Sequence, residues 1–404
     1  ASLSVVLVPV FIDYMASGRK EEAWQIASSV INICIIILFT LTVIGMVFPD
    51  VILRLIAPGL SNTTHSLAVK VALITWPGIL AVASISLLTS IYQSQSHFGW
   101  PAAVPVLGAV ANLLLIVIFT KWWGIFGLAV ATTVGLVLQA FLLLPIALKT
   151  GNYRMSLDFR HPGVVQIFTL LAPLLLVNLI NKITPVVERF LGSSMPEGSI
   201  SHLNYAFRLS GVAILLFSTG ITTVIFPRMA ENVSRNDMAG LRHSMSSSLR
   251  FMWIAVAPAI TLGIALAVPL VSAAFLRGKF NVSDTISVAS LLQIYLLSLV
   301  GACLGNITSR SFYALKDTRT IAIIGSIESL AYIFYTYYLA RSFGIIGVAW
   351  GYVILFNLSF LWQVIVLRYK TGNTVGRTII SSFARVGIAA VIAGIVTWRL
   401  TTLT

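Results

Sequence analysis

Charge is what this sequence has least of. Charged residues fill 9% of its 404 positions, and only 12 are acidic, while 58% are hydrophobic. Soluble domains carry about 25% charged and about 45–50% apolar residues, so a water-facing surface cannot be built from this chain. The two cysteines, Cys34 and Cys303, stand far apart inside apolar runs. They read as small core residues rather than a disulfide pair, and they leave the redox compartment open. The five histidines, at 65, 97, 161, 202 and 243, have no metal-ligand spacing, and no P-loop, GxSxG or HExxH motif occurs. The reading is therefore of a protein with no cofactor, no metal and no catalytic constellation. The long acidic loop expected of a membrane glycosyltransferase is missing too, and ATP-driven work would need another chain.

What is present is apolar length. Most of the chain falls into runs of about 20 residues or more, enough to cross about 30 Å of hydrocarbon at 1.5 Å per residue. Runs broken by Gly, Pro and charge predict twelve helices, at about 1–15, 22–48, 66–92, 101–120, 124–148, 164–190, 200–227, 246–275, 286–312, 320–340, 344–367 and 378–400. The net charge of +14 does not point to nucleic acid, because the basic residues sit in short loops rather than on one water-facing surface. Sorting loop charges onto alternate sides gives fourteen Lys and Arg on one, including Arg19, Lys20, Arg235, Lys316 and Lys370, and seven on the other, including Arg54, Lys121 and Arg277. The first side reads as cytoplasmic and suited to anionic lipid headgroups.

An internal repeat organises the spans. Gly124-Ile125-Phe126-Gly127 leads through a helix to Lys149-Thr150-Gly151-Asn152, and Gly344-Ile345-Ile346-Gly347 leads through a helix to Lys370-Thr371-Gly372-Asn373, at an offset of 220 to 221. Near the same offset Ser90-Ile91-Tyr92 returns as Ser311-Phe312-Tyr313, and Val8-Pro9 as Phe226-Pro227. The expected fold is all-α and polytopic: two pseudo-symmetric six-helix lobes, at 1–153 and 154–373, with an added helix in 374–404. Such repeats enclose a cavity with substrate near mid-membrane. The chain opens inside an apolar segment with no basic leader, which reads as a start in mid-helix, and the repeat predicts roughly 55 further residues of the first lobe upstream.

Ionisable groups within spans cost about 2.5–3.5 kcal/mol and so face a cavity or a partner. Asn178, Asn181, Lys182, Pro185, Glu188 and Arg189 form one polar stripe at helical spacing, and Ser201, Asn204, Arg208 and Gly211 a second, continuing through Ser218 and Thr222. Glu188 and Arg189 read either as an interfacial pair at a helix end or as cavity groups and charge partners. Arg208 reads as a structural partner to a neighbouring helix or as a ligand for phosphate or pyrophosphate, whose oxygens its planar donors match in pairs; the second reading leads. Asn204, Ser201, Asn181 and Lys182 complete the candidate substrate site. Glu328, deep in a span, is a candidate for ion coupling or for neutralising an arginine. Arg250 and Arg385 read as snorkelling groups near helix starts.

Four stretches carry a family resemblance. Leu191 through Ser201, followed by Leu203-Asn204-Tyr205-Ala206-Phe207-Arg208-Leu209, resembles the seventh-to-eighth helix signature of the MurJ (MviN) family of lipid II flippases. Ser311 through Thr320 resembles the family's loop after its tenth helix, and Val8-Pro9-Val10-Phe11 and Leu55-Ile56-Ala57-Pro58-Gly59 its second and third helices. The resemblance spans nearly the whole chain. It implies the multidrug and oligosaccharidyl-lipid exporter superfamily, with two six-helix lobes and two added helices forming a lipid groove. Arg208 then takes the place of the family's cavity arginine, and 378–400 that of the first added helix. Phe207 and Gly211 stand where many members carry acidic residues.

The expectation is thus a multi-pass protein of the bacterial cytoplasmic membrane that flips an undecaprenyl-pyrophosphate-linked sugar of lipid II type by alternating access, and is not an enzyme. Its partners would be that anionic lipid, the surrounding membrane lipids and cell-envelope synthesis proteins, with no nucleic acid. The alternatives are a flippase for another polyprenyl-linked oligosaccharide, a multidrug or cation antiporter of the same superfamily, and a non-transporting envelope scaffold.

Overall fold

The computed structural model describes all residues except 1–5, 8, 9, 12, 16, 95, 96, 98, 150–155, 182, 373–376 and 404, and the side chains of Asn178, Asn181 and Thr222 also lie outside the described set. Among the described residues there is no strand, and fourteen helices follow one another. By its internal contacts the chain divides into two compact units, Ala1–Leu179 and Ile180–Thr404. The first contains α1 (Lys20–Val47), α2 (Pro49–Ile56), α3 (Asn62–Thr75), α4 (Gly78–Ser94), α5 (Gly99–Lys149) and most of α6 (Pro162–Asn181). The second contains α7 (Ile183–Ser193), α8 (Ser199–Ser234), α9 (Met238–Ala265), α10 (Ala267–Phe275), α11 (Val282–Leu296), α12 (Ser298–Ala314), α13 (Thr318–Thr371) and α14 (Arg377–Leu403).

Among the described residues eight stretches are long and apolar enough to cross a membrane, which makes this a multi-pass membrane protein. Their outward side chains are apolar: Val106, Leu113, Leu114 and Phe141 are each exposed by 60% or more. In water such a surface would cost on the order of 1.5–3 kcal/mol per large side chain, whereas hydrocarbon accepts it.

Two of the stretches fold back on themselves. In α5 the helix reverses at Gly124 (φ 53°, ψ −125°), and in α13 at Gly344 (φ 58°, ψ −137°). Only glycine adopts such angles without strain. Three residues on, a Cβ at Gly127 would lie 2.1 Å from the carbonyl oxygen of Phe119, and one at Gly347 2.0 Å from that of Leu339. The two arms of each hairpin therefore meet backbone to backbone. Farther down α5, Gly135 rests on Asn112 and Gly108 on Gln139; in α13, Gly351 rests on Thr336. Each arm is about 37–40 Å long at 1.5 Å per residue, enough for one crossing. The four helices expected at 101–120, 124–148, 320–340 and 344–367 are these arms, and the repeated Gly-Ile-x-Gly is the turn they share.

Three other expected helices are each two. The one at 66–92 breaks at Trp76 and Pro77 between α3 and α4, where proline removes a donor and clashes with the preceding turn. The one at 246–275 breaks at Leu266, and Pro269 four residues after Ala265 explains it in the same way. Beside the break, the Ile264 carbonyl also accepts from the Gln293 amide at 3.1 Å. At Leu297, between α11 and α12, no proline intervenes; the Asn357 amide donates to the Leu297 carbonyl at 3.2 Å. Of the helix expected at 164–190, Pro162–Asn181 and Ile183–Ser193 are helical, and residue 182 between them lies outside the described residues.

One core fills the second unit, built on Met245, Met252, Leu291, Tyr295, Leu304 and Phe312. The first unit has two smaller clusters, around Trp24, Leu88 and Leu143 and around Val30, Val164 and Ile167. The added helix α14 lies on α9: Trp253 stacks on Phe383 at 5.1 Å and donates its indole N–H to the Phe383 carbonyl at 3.0 Å. Gly394 brings the backbones close beside Thr261.

Short helix links in the second unit use a left-handed residue followed by a capping aspartate. Asn236 (φ 57°) precedes Asp237, which accepts from the Gly240 N–H at 2.7 Å, and Lys316 (φ 58°) precedes Asp317, which accepts from the Thr320 N–H at 3.1 Å. Asp317 is also paired with Lys370 at the far end of α13, and Arg242 donates to the Thr371 carbonyl at 2.9 Å. The Lys370 ammonium and the Thr320 donors hold the Asp317 carboxyl below the usual carboxylate range.

Gly344→Ala, with a residue forced to a glycine-only conformation, is expected to cost about 1–3 kcal/mol, read as a lower thermal midpoint of the detergent-purified protein. Gly347→Ala should cost at least as much. Gly325→Ala, where a Cβ meets nothing within 4 Å, should leave the midpoint unchanged or raised. The Asp317 shift gives a second expectation. Because its folded pKa is depressed, its contribution is complete above the ordinary aspartate range and fades as pH falls through the folded value. The Asp317–Lys370 pair is partly exposed, so the effect stays below about 1 kcal/mol. Asp317→Asn keeps the cap and should remove that acid-limb dependence, measured as midpoints between neutral and acid pH.

Candidate functional site

The site grows from the turn between α7 and α8. After Ser193 the chain turns through Ser194 N–H to Leu191 carbonyl at 3.2 Å and the Ser199 hydroxyl to Pro196 carbonyl at 2.6 Å. Gly198 (φ 90°) opens α8. A Cβ on Gly192 would be 3.1 Å from Ile200, so the two helices start in close contact. The first turn of α8 is tied to α11 by His202 Nε2 and Asp284 Oδ1 at 2.9 Å, and Asp284 itself completes the capping box with Asn281.

This arrangement encloses a cavity of about 450 Å³ inside the second unit. α7 contributes Thr184, Pro185, Glu188 and Arg189, α8 contributes Ile200, Leu203, Asn204 and Phe207, and α13 contributes Ser329, Tyr352, Leu355 and Phe356. One wall is aromatic and packed edge to face: Phe207 lies 5.3 Å from Tyr352, Tyr295 lies 5.3 Å from Tyr352, and Tyr352 lies 4.7 Å from Phe356. Glu188 is half-buried, and its Oε1 is sealed from solvent on the side of the Tyr295 hydroxyl, outside hydrogen-bond geometry. The hydroxyls of Tyr295 and Tyr332 are sealed in the same way. Each such orphan costs about 1–3 kcal/mol, more where the group is charged.

The second polar stripe holds together. Ser201, Asn204 and Arg208 all lie on the exposed side of α8, and Asn204 donates its amide to the Ile200 carbonyl at 2.8 Å. Among the described residues Arg208 forms no ion pair and no hydrogen bond. It stands one turn beyond Asn204 and does not line the cavity itself. Glu188 enters the cavity while its neighbour Arg189 is exposed at the rim. Glu328 is buried in α13, 5% exposed, next to the cavity residue Ser329, and its Oε1 has no hydrogen-bond partner. Beyond it runs a polar chain: the Gln363 amide donates to Ser359 at 3.2 Å, and its oxygen accepts from Thr308 at 2.5 Å and Ser309 at 3.0 Å. Lys182 and the side chain of Asn181 lie outside the described residues.

The aromatic wall is the part that sequence reasoning missed. Phe207, Tyr352 and Phe356, which line the cavity, and Tyr295, which packs behind them, were absorbed into apolar spans, although a tyrosine in the middle of a span brings a hydroxyl that needs a partner. No group of three or more potential metal ligands occurs among the described residues.

The arrangement has relatives. Probable lipid II flippases MurJ from Bdellovibrio bacteriovorus and Buchnera aphidicola are 27% and 25% identical over 355 and 323 residues, which cover 86% and 79% of this chain and 68% and 63% of those proteins. The lipid II flippase MurJ of Thermosipho africanus is 28% identical over 348 residues, 86% of this chain and 70% of that protein. The chain thus spans about two thirds of the length of these relatives. In structure it is similar to a lipid II flippase MurJ in an inward closed conformation, with a TM-score of 0.85 at 24% identity over 98% of this chain and 81% of that one. An inward-facing multidrug transporter of the MATE family and MOP superfamily follows with a TM-score of 0.79 at 16% identity, over 92% of this chain and 86% of that one. These likenesses establish the shared helical fold, and because the family model described as lipid II flippase MurJ matches residues 1–404, the chain belongs to the MurJ family.

Proposed function

We propose that the protein flips lipid II, an undecaprenyl-pyrophosphate-linked saccharide, across the bacterial cytoplasmic membrane by alternating access. The carrying observation is Arg208: a permanently charged guanidinium within an apolar helix, exposed and unpaired among the described residues. An arginine in that setting is costly unless it meets water or an anion, and a pyrophosphate offers paired oxygens to its planar donors. Ser201 and Asn204 on the same side of α8 add neutral donors and acceptors. The relatives named as lipid II flippases support the same cargo.

In this reading the repeats at 1–153 and 154–373 are two lobes that rock about the bound headgroup, while the polyprenyl tail stays in lipid. The side richer in Lys and Arg faces the cytoplasm. Glu328, the buried acid of α13, is the group assigned to coupling with an ion or the membrane potential. A scaffold would have no use for an uncompensated arginine in a span, and a cation antiporter would favour an acid at that position.

Arg208→Ala should abolish rescue of cells depleted of their own flippase at unchanged protein level in the membrane. Arg208→Lys, which keeps the charge and loses the fork, should restore only part. The expected weakening of headgroup binding for alanine is about 10- to 100-fold, the loss of a charge-assisted hydrogen-bonded pair. Full rescue by the alanine variant would remove Arg208 from the mechanism.

A further inference from the structure

The cavity beside Arg208 is not itself a phosphate site, and its chemistry says what it takes. Glu188 and Arg189 both line it, so its ionic groups cancel; a second phosphate would meet the carboxylate, and an ammonium would meet the guanidinium. What remains suits a neutral, hydroxyl-rich ligand with apolar faces. Phe207, Tyr352 and Phe356 offer ring surfaces, and Asn204 and Ser329 offer neutral hydrogen-bonding groups. The Glu188 carboxylate lines the cavity, with its Oε1 sealed on the Tyr295 side, and it is the acceptor that the cavity offers to a ligand donor. A volume of about 450 Å³ lies within the range of small-molecule sites, about 300–1,000 Å³.

We propose that this cavity, bounded by α7, α8 and α13, is a saccharide subsite that receives the sugar attached directly to the pyrophosphate. This rests on the reading of Arg208 as the pyrophosphate ligand. Geometry links the two: Asn204 lines the cavity, and Arg208 follows it four residues later on the same exposed side of α8, about 6 Å along the axis. A glycosyl pyrophosphate has that short reach, since the ring is joined to the first phosphate through one oxygen. With phosphate on Arg208, the pyranose enters the cavity, stacks its C–H face on the aromatic wall, and donates a hydroxyl or an acetamido N–H to Glu188.

The test compares two probes on the purified chain in nanodiscs: undecaprenyl pyrophosphate, which has no sugar, and undecaprenyl-pyrophosphoryl-N-acetylhexosamine. The wild type is expected to bind the glycosylated lipid about tenfold more tightly, as one charge-assisted hydrogen bond with stacking provides. Ser329→Leu, which fills the cavity, and the isosteric Glu188→Gln, which keeps its shape and removes the charge, should both shrink that preference to below about threefold. Arg208→Ala should weaken both lipids together. Equal wild-type binding of the two lipids, or equal weakening of both by Glu188→Gln, would overturn the subsite and leave the flippase reading standing. Wild-type failure to bind either lipid would bring down the flippase reading and the subsite with it.

Discussion

Within hydrocarbon no water is available to a loose backbone group, so a chain that crosses repeatedly must keep each crossing helical from end to end and confine its turns to the boundary. The reversals at Gly124 and Gly344 meet that constraint by having almost no loop at all. A single residue at positive φ ends one helix and starts the next, and the close approach at Gly127 and Gly347 lets the arms pack from their first turn. Everything in the second unit that bears on function is referred to the α13 hairpin: Ser329 stands on one arm, and Tyr352 and Phe356 on the other.

Around that hairpin the polar groups are distributed unevenly. The interior of the second unit holds most of the sealed, unpartnered polar atoms found among the described residues: those of Glu188, Tyr295, Glu328, Tyr332 and Thr336. Stability alone would have replaced them with hydrocarbon, because each is a cost that packing has to offset. Their concentration behind one aromatic wall, with an unpaired arginine a turn away, is what separates this bundle from an inert set of membrane helices.

The sequence disclosed some of this and concealed the rest for identifiable reasons. The Gly-Ile-x-Gly repeat was visible because glycine is the only residue tolerated at both the turn and the contact, so the pattern is chemically forced. The exposed side of α8 was visible because Ser201, Asn204 and Arg208 interrupt apolar periodicity. The breaks at Trp76 and Leu266 were drawn through as continuous spans, although Pro77 and Pro269 marked them, because hydropathy does not register a change of axis. The aromatic wall left no trace in periodicity: Tyr352 counts as apolar whether it faces lipid, core or cavity, and only packing decides among them. Glu188 was seen as polar, but its entry into a cavity while Arg189 stays at the rim follows from the α7–α8 turn, which spacing alone does not give.

The contact between α9 and α14 has a physical character of its own. Trp253 stacked on Phe383, one indole hydrogen bond and the close passage at Gly394 hold the helix outside the repeat, and none of these is an ion pair. Adhesion of this kind depends on dispersion and on the competing solvation by acyl chains, so ionic strength has little purchase on it. The annealing of α14 to its neighbour is therefore a matter of bilayer thickness and lipid order, which makes this edge of the protein responsive to the kind of membrane it inhabits.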